Sequence, residues 1–509
     1  MGYIKLMVLH NKMKLTILFG GKAGQGANIL SAILGHALTK KGYYVFVSRD
    51  YQSLIRGGHN FNVLTFSDSP VSSNDSALDL IVALDENTIN LHKKELKKDG
   101  NIISGEGKGN MYFAGRLFKI LCVDFKVLEE ELKELKERFE QNIKEAKEGY
   151  EDEKKVACRI IFNKKDLYFM NGNQAVAEGA IKSGLDVYYA YPMTPATNIL
   201  SELAEKQIEN NILVLEFESE IGVINSAIGS AITGAKAMIG TSGGGFDLMT
   251  EALSLTGMAE VPLVIYLASR PGPSTGVATY TGQGDLSLAL HSGHGEFNRV
   301  VLAPGSPKEA EELTSQAFYL TQKFKVPAIV LSDKHLAESF YTLDEKPVIT
   351  SSKKSTFLRR YNSYEMDEFG SATESPEKIV KNVTKRLKTG IETEKEAEKF
   401  EQYLVYGKES SNNVVVSFGS TKGAIIDAIR DLNTSFVQIL YLEPFQQEIK
   451  KHFKNKNVIL VENNATGQLG KLIAEKTGIF ISEGNKILRF DGRPFLADEL
   501  KKEIHKRLK

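Results

Sequence analysis

The stretch "DVYYAYPMTPATNIL", residues 186–200, sets an apolar run directly against a stiff loop. The run ends at Pro192 and Pro195, leaves Thr194 between them, and gives way to helical spacing from about residue 197. A buried strand, a loop whose φ angles are narrowed by proline, and a helix are predicted in that order. Working outward, the alternation repeats. A helix is expected over 173–184, then strand 185–190, helix 197–209, strand 212–217, helix 220–233, strand 235–240, helix 247–258 and strand 262–268. Strand 299–303, helix 307–323 and strand 326–331 follow. Short apolar strands between helices predict a parallel sheet covered on both faces. Ligands of such sheets bind beyond the carboxyl ends of the strands, which is where Thr194 is expected.

Three more unusual segments fall at that same edge: "EFESEIG" (216–222), "GTSGGGFDLMTEA" (240–252) and "ASRPGPSTG" (268–276). Four such loops together predict the walls of one site. Thr194, flanked by prolines, presents a hydroxyl with little entropy to lose. Glu220 opens a helix, where a carboxylate is favoured by the positive helix end. Arg270 follows an apolar strand and offers a fork for a carboxylate or phosphate. Gly243, Gly244 and Gly245, after Ser242, let a ligand approach the backbone. Tyr191, Pro192, Pro195, Ser274 and Thr275 complete the expected pocket loops. Taken singly, turn formation, helix capping and a surface ion pair explain Thr194, Glu220 and Arg270 equally well. His291 and His294 lack a third ligand at suitable spacing and are read as loop residues, so no metal site is expected.

Towards the start, "KLTILF" (14–19) leads through "GGKAGQGAN" (20–28) to a helix over 27–40 and the strand "YYVFV" (43–47), a βαβ opening; "DLIVALDE" (79–86) adds a strand. The glycines at 20, 21, 24 and 26 match neither a G-x-G-x-x-G fingerprint nor a P-loop, so a tight turn is favoured over a phosphate cradle. A charged stretch near 127–155 reads as a solvated helix and linker. The domains expected are 13–155, 165–345 and 411–509, with 346–410 as a connecting segment. Several doubly wound α/β domains therefore make up the chain.

Across 509 residues, 64 basic and 64 acidic side chains balance, so no net field favours nucleic acid or membrane. No apolar run is long enough to span a bilayer, and no signal-peptide pattern opens the chain, so a cytoplasmic location is expected. Cys122 and Cys158 cannot alone ligate an iron–sulfur cluster, and both are read as inert packing residues.

With these loops in view, the chain resembles the α subunit of 2-oxoacid:ferredoxin oxidoreductases. "YPMTPAT" is similar to the family's Tyr-Pro-Ile-Thr-Pro signature, "TSGGGFDLMTEA" to its Thr-Ser-Gly-Pro-Gly-x-x-Leu-Met element, and "RPGPSTGVATYTGQGDL" to its substrate-side loop. "VENNATGQLGKLI" and "RFDGRPF" extend the likeness towards the end. "GGKAGQGANIL" and "YQSLIRGGHNFNVL" resemble the γ subunit, here fused in front. The resemblance implies a thiamine pyrimidine-binding domain, a transketolase C-terminal-like domain, and oxidative decarboxylation of a 2-oxoacid to an acyl-coenzyme A. The glycine loops favour the 2-oxoglutarate or broad 2-oxoacid branch. Glu220 would hydrogen-bond the aminopyrimidine ring, with Glu218 the weaker choice. Arg270 would grip the substrate carboxylate and Thr194 would bond the substrate. Thiamine diphosphate would be shared with a β subunit that carries Mg²⁺ and a [4Fe–4S] cluster and passes electrons to ferredoxin. The chain departs from the family pattern at Met193, Gly244, Met366 and 291–297. A non-catalytic scaffold, or a nucleotide-dependent dehydrogenase built on the 20–26 turn, is the alternative.

Overall fold

The structure, a computed structural model, describes residues 13–52, 58–105, 107–135, 138–155, 165–355 and 360–509. Residues 1–12, the 53–57 part of "YQSLIRGGHN" and Cys158 lie outside these ranges. The chain forms two units. One runs to Met170 and takes in Ser339–Glu345 and Leu496–Lys501; the other holds Asn171–Glu338, Lys346–Phe495 and Lys502–Lys509.

The first unit is built on a seven-stranded sheet in the order Leu96–Ile103, Leu78–Ala83, Lys14–Lys22, His59–Ser67, Tyr44–Tyr51, Phe340–Leu343, Tyr168–Asn171. The βαβ opening is present, but His59–Ser67 is inserted antiparallel between the two strands it connects. Its apolar alternation is plain in "FNVLTF"; pairing partners are not encoded in periodicity. Gly24 and Gly26 adopt left-handed φ of 86° and 96°, the conformation a tight strand-to-helix turn requires.

The charged stretch is two helices, Phe125–Glu134 and Phe139–Asp152, and it is not a solvated strut. Leu128, Leu132 and Ala146 are buried in the core of this unit. Helix Asn110–Ile120 packs on Phe139–Asp152 so closely that a Cβ on Gly115 would lie 1.9 Å from the Ala146 carbonyl, and one on Gly149 1.9 Å from that of Tyr112. High charge hid the apolar stripe, because only a narrow face touches the core. Cys122 also departs from expectation: it is exposed, at a left-handed φ of 51° just past helix Asn110–Ile120.

The second unit holds two sheets. The larger has the order Tyr441–Glu443, Val300–Leu302, Pro327–Asp333, Leu263–Ser269, Ala237–Thr241, Val187–Ala190, Leu213–Glu216. All its pairings are parallel except that of Tyr441–Glu443. Val187–Ala190, Ala237–Thr241 and Leu263–Ser269 are buried at every position, as strands covered on both faces must be. The helices between them start where side chains satisfy the first amides. Asn171 and Gln174 form a capping box for Gly172–Lys182, Ser219 caps Glu220–Ile232, and Ser306 with Pro307 opens Pro307–Phe324. The smaller sheet runs Tyr403–Gly407, Ser435–Ile439, Asn413–Phe418, Asn457–Glu462, Lys486–Leu488. The segment 346–410 contains a 22-residue helix, Pro376–Ala397. No helix among the described residues is long and apolar enough to cross a membrane.

Candidate active site

Parallel register decides where the loops emerge. Ala190 lies beside Glu216 on one side and Gly240 on the other, and Thr241 lies beside Leu267. The four strands therefore end at one edge, and the loops after them open onto one cleft of about 1260 Å³. Of the expected residues, Tyr191, Glu220, Gly243, Gly244, Arg270, Ser274 and Thr275 line it, as does Met193. Pro192, Thr194, Pro195, Ser242 and Gly245 do not line it. Pro195, Ser242 and Gly245 are buried, and Pro192 and Thr194 are half-buried outside the lining.

Glu220 is 5% exposed, and its carboxylate enters no hydrogen bond or ion pair among the described residues. Helix capping does not account for it, since Ser219 accepts from the Gly222 amide at 3.3 Å and is the cap. Arg270 is 9% exposed, and its Nη1 donates to the Thr194 carbonyl at 3.0 Å. It is therefore no surface ion pair, and part of its fork is committed to the proline loop. Burial holds its guanidinium below the ordinary value, with the Asp285 carboxylate opposing that shift. The Thr194 hydroxyl enters no hydrogen bond among the described residues.

The triple glycine is a thin spacer between two carboxylates. A Cβ on Gly243 would lie 2.6 Å from Asp285 Oδ2, and one on Gly245 2.7 Å from Glu220 Oε1. Gly244 faces open space, its nearest neighbour the Ser274 carbonyl at 3.9 Å. Asp285 was not singled out in the sequence, although it stands in the "TGQGDL" part of the substrate-side loop. An acidic residue just before a short helix signals a cap, yet its side chain caps nothing here. Burial pushes its carboxyl above the ordinary value, Asp247 adding to the effect and Arg270 opposing it.

The opposite wall comes from the smaller sheet: Asn463, Asn464, Thr466 and Gln468, with Phe490 and Gly492. Gln283 ties the two walls together. Its amide group donates to the Phe418 carbonyl at 3.0 Å and accepts from the Asn463 backbone at 2.9 Å, while its own backbone donates to the Asn463 carbonyl at 2.7 Å. The sequence pattern gave no sign of this clasp, which joins residues 180 positions apart. His291 ends the short helix Leu286–His291, and the His294 backbone bonds Ser254, both outside the cleft lining. Met366 belongs to an isolated bridge with Ala372, likewise away from the lining. Among the described residues, no group of three or more His, Cys, Asp or Glu is placed to hold a metal ion.

Comparison with known proteins fits this layout. Residues 178–410 match the family described as pyruvate flavodoxin/ferredoxin oxidoreductase, thiamine diphosphate-binding. Residues 16–108 match the pyruvate ferredoxin/flavodoxin oxidoreductase family. The chain is thus similar to the 2-oxoacid:ferredoxin oxidoreductases along most of its length. It is 29% identical to the 2-oxoacid:ferredoxin oxidoreductase subunit alpha of Saccharolobus solfataricus, over 97% of each chain. It is also 29% identical to the 2-oxoglutarate synthase subunit KorA of Methanocaldococcus jannaschii, over 66% of this chain and 96% of that one. The fold is shared with a 2-oxoglutarate:ferredoxin oxidoreductase from Magnetococcus marinus, with a TM-score of 0.85 and 24% identity over 96% of this chain and 99% of that one.

Proposed function

We propose that this chain is the α subunit, with a γ-like domain fused in front, of a cytoplasmic 2-oxoacid:ferredoxin oxidoreductase. In this reading the enzyme oxidatively decarboxylates a 2-oxoacid, 2-oxoglutarate foremost, to an acyl-coenzyme A and CO₂, and ferredoxin takes the electrons. The observation that carries it is the cleft itself: a buried carboxylate without a partner, Glu220, and a buried guanidinium, Arg270, line one cavity.

The residues present fit the pyrimidine end of thiamine diphosphate. That cofactor, when bound, supplies the nucleophilic carbon needed to decarboxylate a 2-oxoacid. Glu220 is free to share a proton with a ring nitrogen, and Gly243 and Gly244 leave the wall beside it without side chains. Arg270 lines the cleft with its Nη1 committed to the Thr194 carbonyl, and the rest of its fork is assigned to a substrate carboxylate. Thr194 stands outside the cleft lining, so its part in substrate binding is assigned to its carbonyl, which holds the Arg270 guanidinium. The diphosphate site, Mg²⁺ and a [4Fe–4S] cluster are assigned to a β subunit that completes the cleft. The preference for 2-oxoglutarate is supported by the name of the Methanocaldococcus jannaschii relative and by the 2-oxoglutarate bound in the Magnetococcus marinus structure.

The test is a viologen-reduction assay on the native complex with coenzyme A and, in turn, 2-oxoglutarate, pyruvate and a branched 2-oxoacid. Reduction that depends on the 2-oxoacid and on thiamine diphosphate is expected, with 2-oxoglutarate the best substrate. Turnover that requires NAD(P) instead, or none with any 2-oxoacid, overturns the reading.

A further inference from the structure

The proline loop that carries Thr194 is held from behind by a pair of buried polar side chains that do not touch the cleft. Asn173, fully buried, donates from Nδ2 to the Pro195 carbonyl at 3.0 Å. Its Oδ1 accepts from the Tyr266 hydroxyl, also at 3.0 Å. Tyr266 is fully buried in the central strand Leu263–Ser269, four residues before Arg270. Arg270 takes the preceding carbonyl, that of Thr194, and the Ala196 amide closes the turn on the Met193 carbonyl at 2.8 Å. Two consecutive carbonyls are thus each held by a donor of their own.

Local needs do not explain Asn173. It is the second residue of helix Gly172–Lys182, whose first amides are already served by the Asn171–Gln174 capping box. A fully buried amide is costly unless bonded, and an apolar residue would suit a plain packing site between helix and sheet better. The bonds it makes join one element of the sheet to one loop of the site.

We propose that Asn173, seated by Tyr266, is a positioning residue that fixes the Thr194 loop for substrate binding. This rests on the function proposed above. Two variants separate the two bonds. Asn173→Asp keeps an acceptor for Tyr266 but removes the donor to Pro195 and sets an oxygen against its carbonyl. Tyr266→Phe removes the hydroxyl and leaves the Pro195 bond in place. In the native complex, with saturating thiamine diphosphate and coenzyme A, Asn173→Asp is expected to raise the KM for the 2-oxoacid about tenfold and change kcat by less than about threefold. Tyr266→Phe is expected to raise KM only about two- to fivefold. A merely structural pair predicts the reverse pattern: lowered thermal midpoints in both variants and an unchanged KM in both, which would overturn the proposal. A crystal structure of the Asn173→Asp chain gives a reading that does not depend on turnover. A displaced 191–196 loop supports the positioning role, and an unmoved loop contradicts it. If the wild-type complex turns over no 2-oxoacid, the proposed function fails while the loop displacement still decides the role of Asn173. Should Asn173→Asp not fold, an unchanged KM in Tyr266→Phe overturns the proposal and the expected rise sustains it.

Discussion

Gly243, Gly244 and Gly245 are identical in sequence and face three different constraints. A methyl on Gly243 would meet Asp285, and one on Gly245 would meet both the Thr241 hydroxyl at 2.2 Å and Glu220. One on Gly244 would meet nothing closer than 3.9 Å. Gly243→Ala and Gly245→Ala are therefore expected to lower kcat/KM by about tenfold or more, because each displaces a cleft carboxylate by an ångström-scale shift. Gly244→Ala is expected to stay within about twofold of wild type. Steady-state kinetics on the three variants check this pattern; equal losses at all three would contradict it. Arg270→Lys replaces a planar fork by a point charge, so one side chain can no longer hold the Thr194 carbonyl and a substrate carboxylate together. The KM for the 2-oxoacid is expected to rise by about tenfold or more, and an unchanged KM would refute the clamp. Glu220 and Arg270 were legible in the sequence because each directly follows a strand end or starts the next helix. Asp285, Gln283 and Asn173 were not, since their importance lies in contacts with residues far along the chain.

At the scale of elements, hydrophobic periodicity located the strands and helices expected between 173 and 331 to within a few residues, whereas the elements of the smaller sheet and the helices Leu286–His291 and Pro376–Ala397 were not individually expected. The helix expected over 247–258 is two pieces, Gly243–Asp247 and Thr250–Ala259, because the glycines begin a helical turn of their own. Periodicity says which face of a helix is apolar, but not what covers it. That is why Phe125–Glu134 and Phe139–Asp152 read as a solvated strut, although Glu131 is buried and paired with Lys40 at 2.7 Å. The contact of Asn110–Ile120 with Phe139–Asp152 depends on two glycines facing backbone carbonyls, and backbone cannot move aside as a side-chain tip can. Gly115→Ala or Gly149→Ala is expected to destabilise the first unit by about 1–3 kcal/mol, read as a lowered thermal midpoint. A midpoint equal to wild type would show that the helices can separate without cost. In the second unit, Leu253→Ala in the fully buried face of Thr250–Ala259 is expected to cost about 2–5 kcal/mol.

For the whole molecule, the α/β class followed from short apolar strands set between helices, whereas the inserted antiparallel strand of the first unit did not, because strand order is settled by tertiary pairing. The cleft edge was legible for a simple reason: consecutive parallel strands must release their loops on the same side. The second wall, from the smaller sheet, was legible only through the resemblance, which drew "VENNATGQLGKLI" into the family without saying that it faces the cleft. Glu220 and Arg270 are proposed to belong to one half of a thiamine pocket completed by a partner subunit. The most direct test of this proposal is 2-oxoacid-dependent viologen reduction by the assembled complex carrying Glu220→Ala, with subunit assembly checked by size-exclusion chromatography. An intact complex whose turnover falls by at least about a hundredfold is expected, because the group proposed to hold a proton at the cofactor has been removed. An intact Glu220→Ala complex that turns over at the wild-type rate would contradict the proposal.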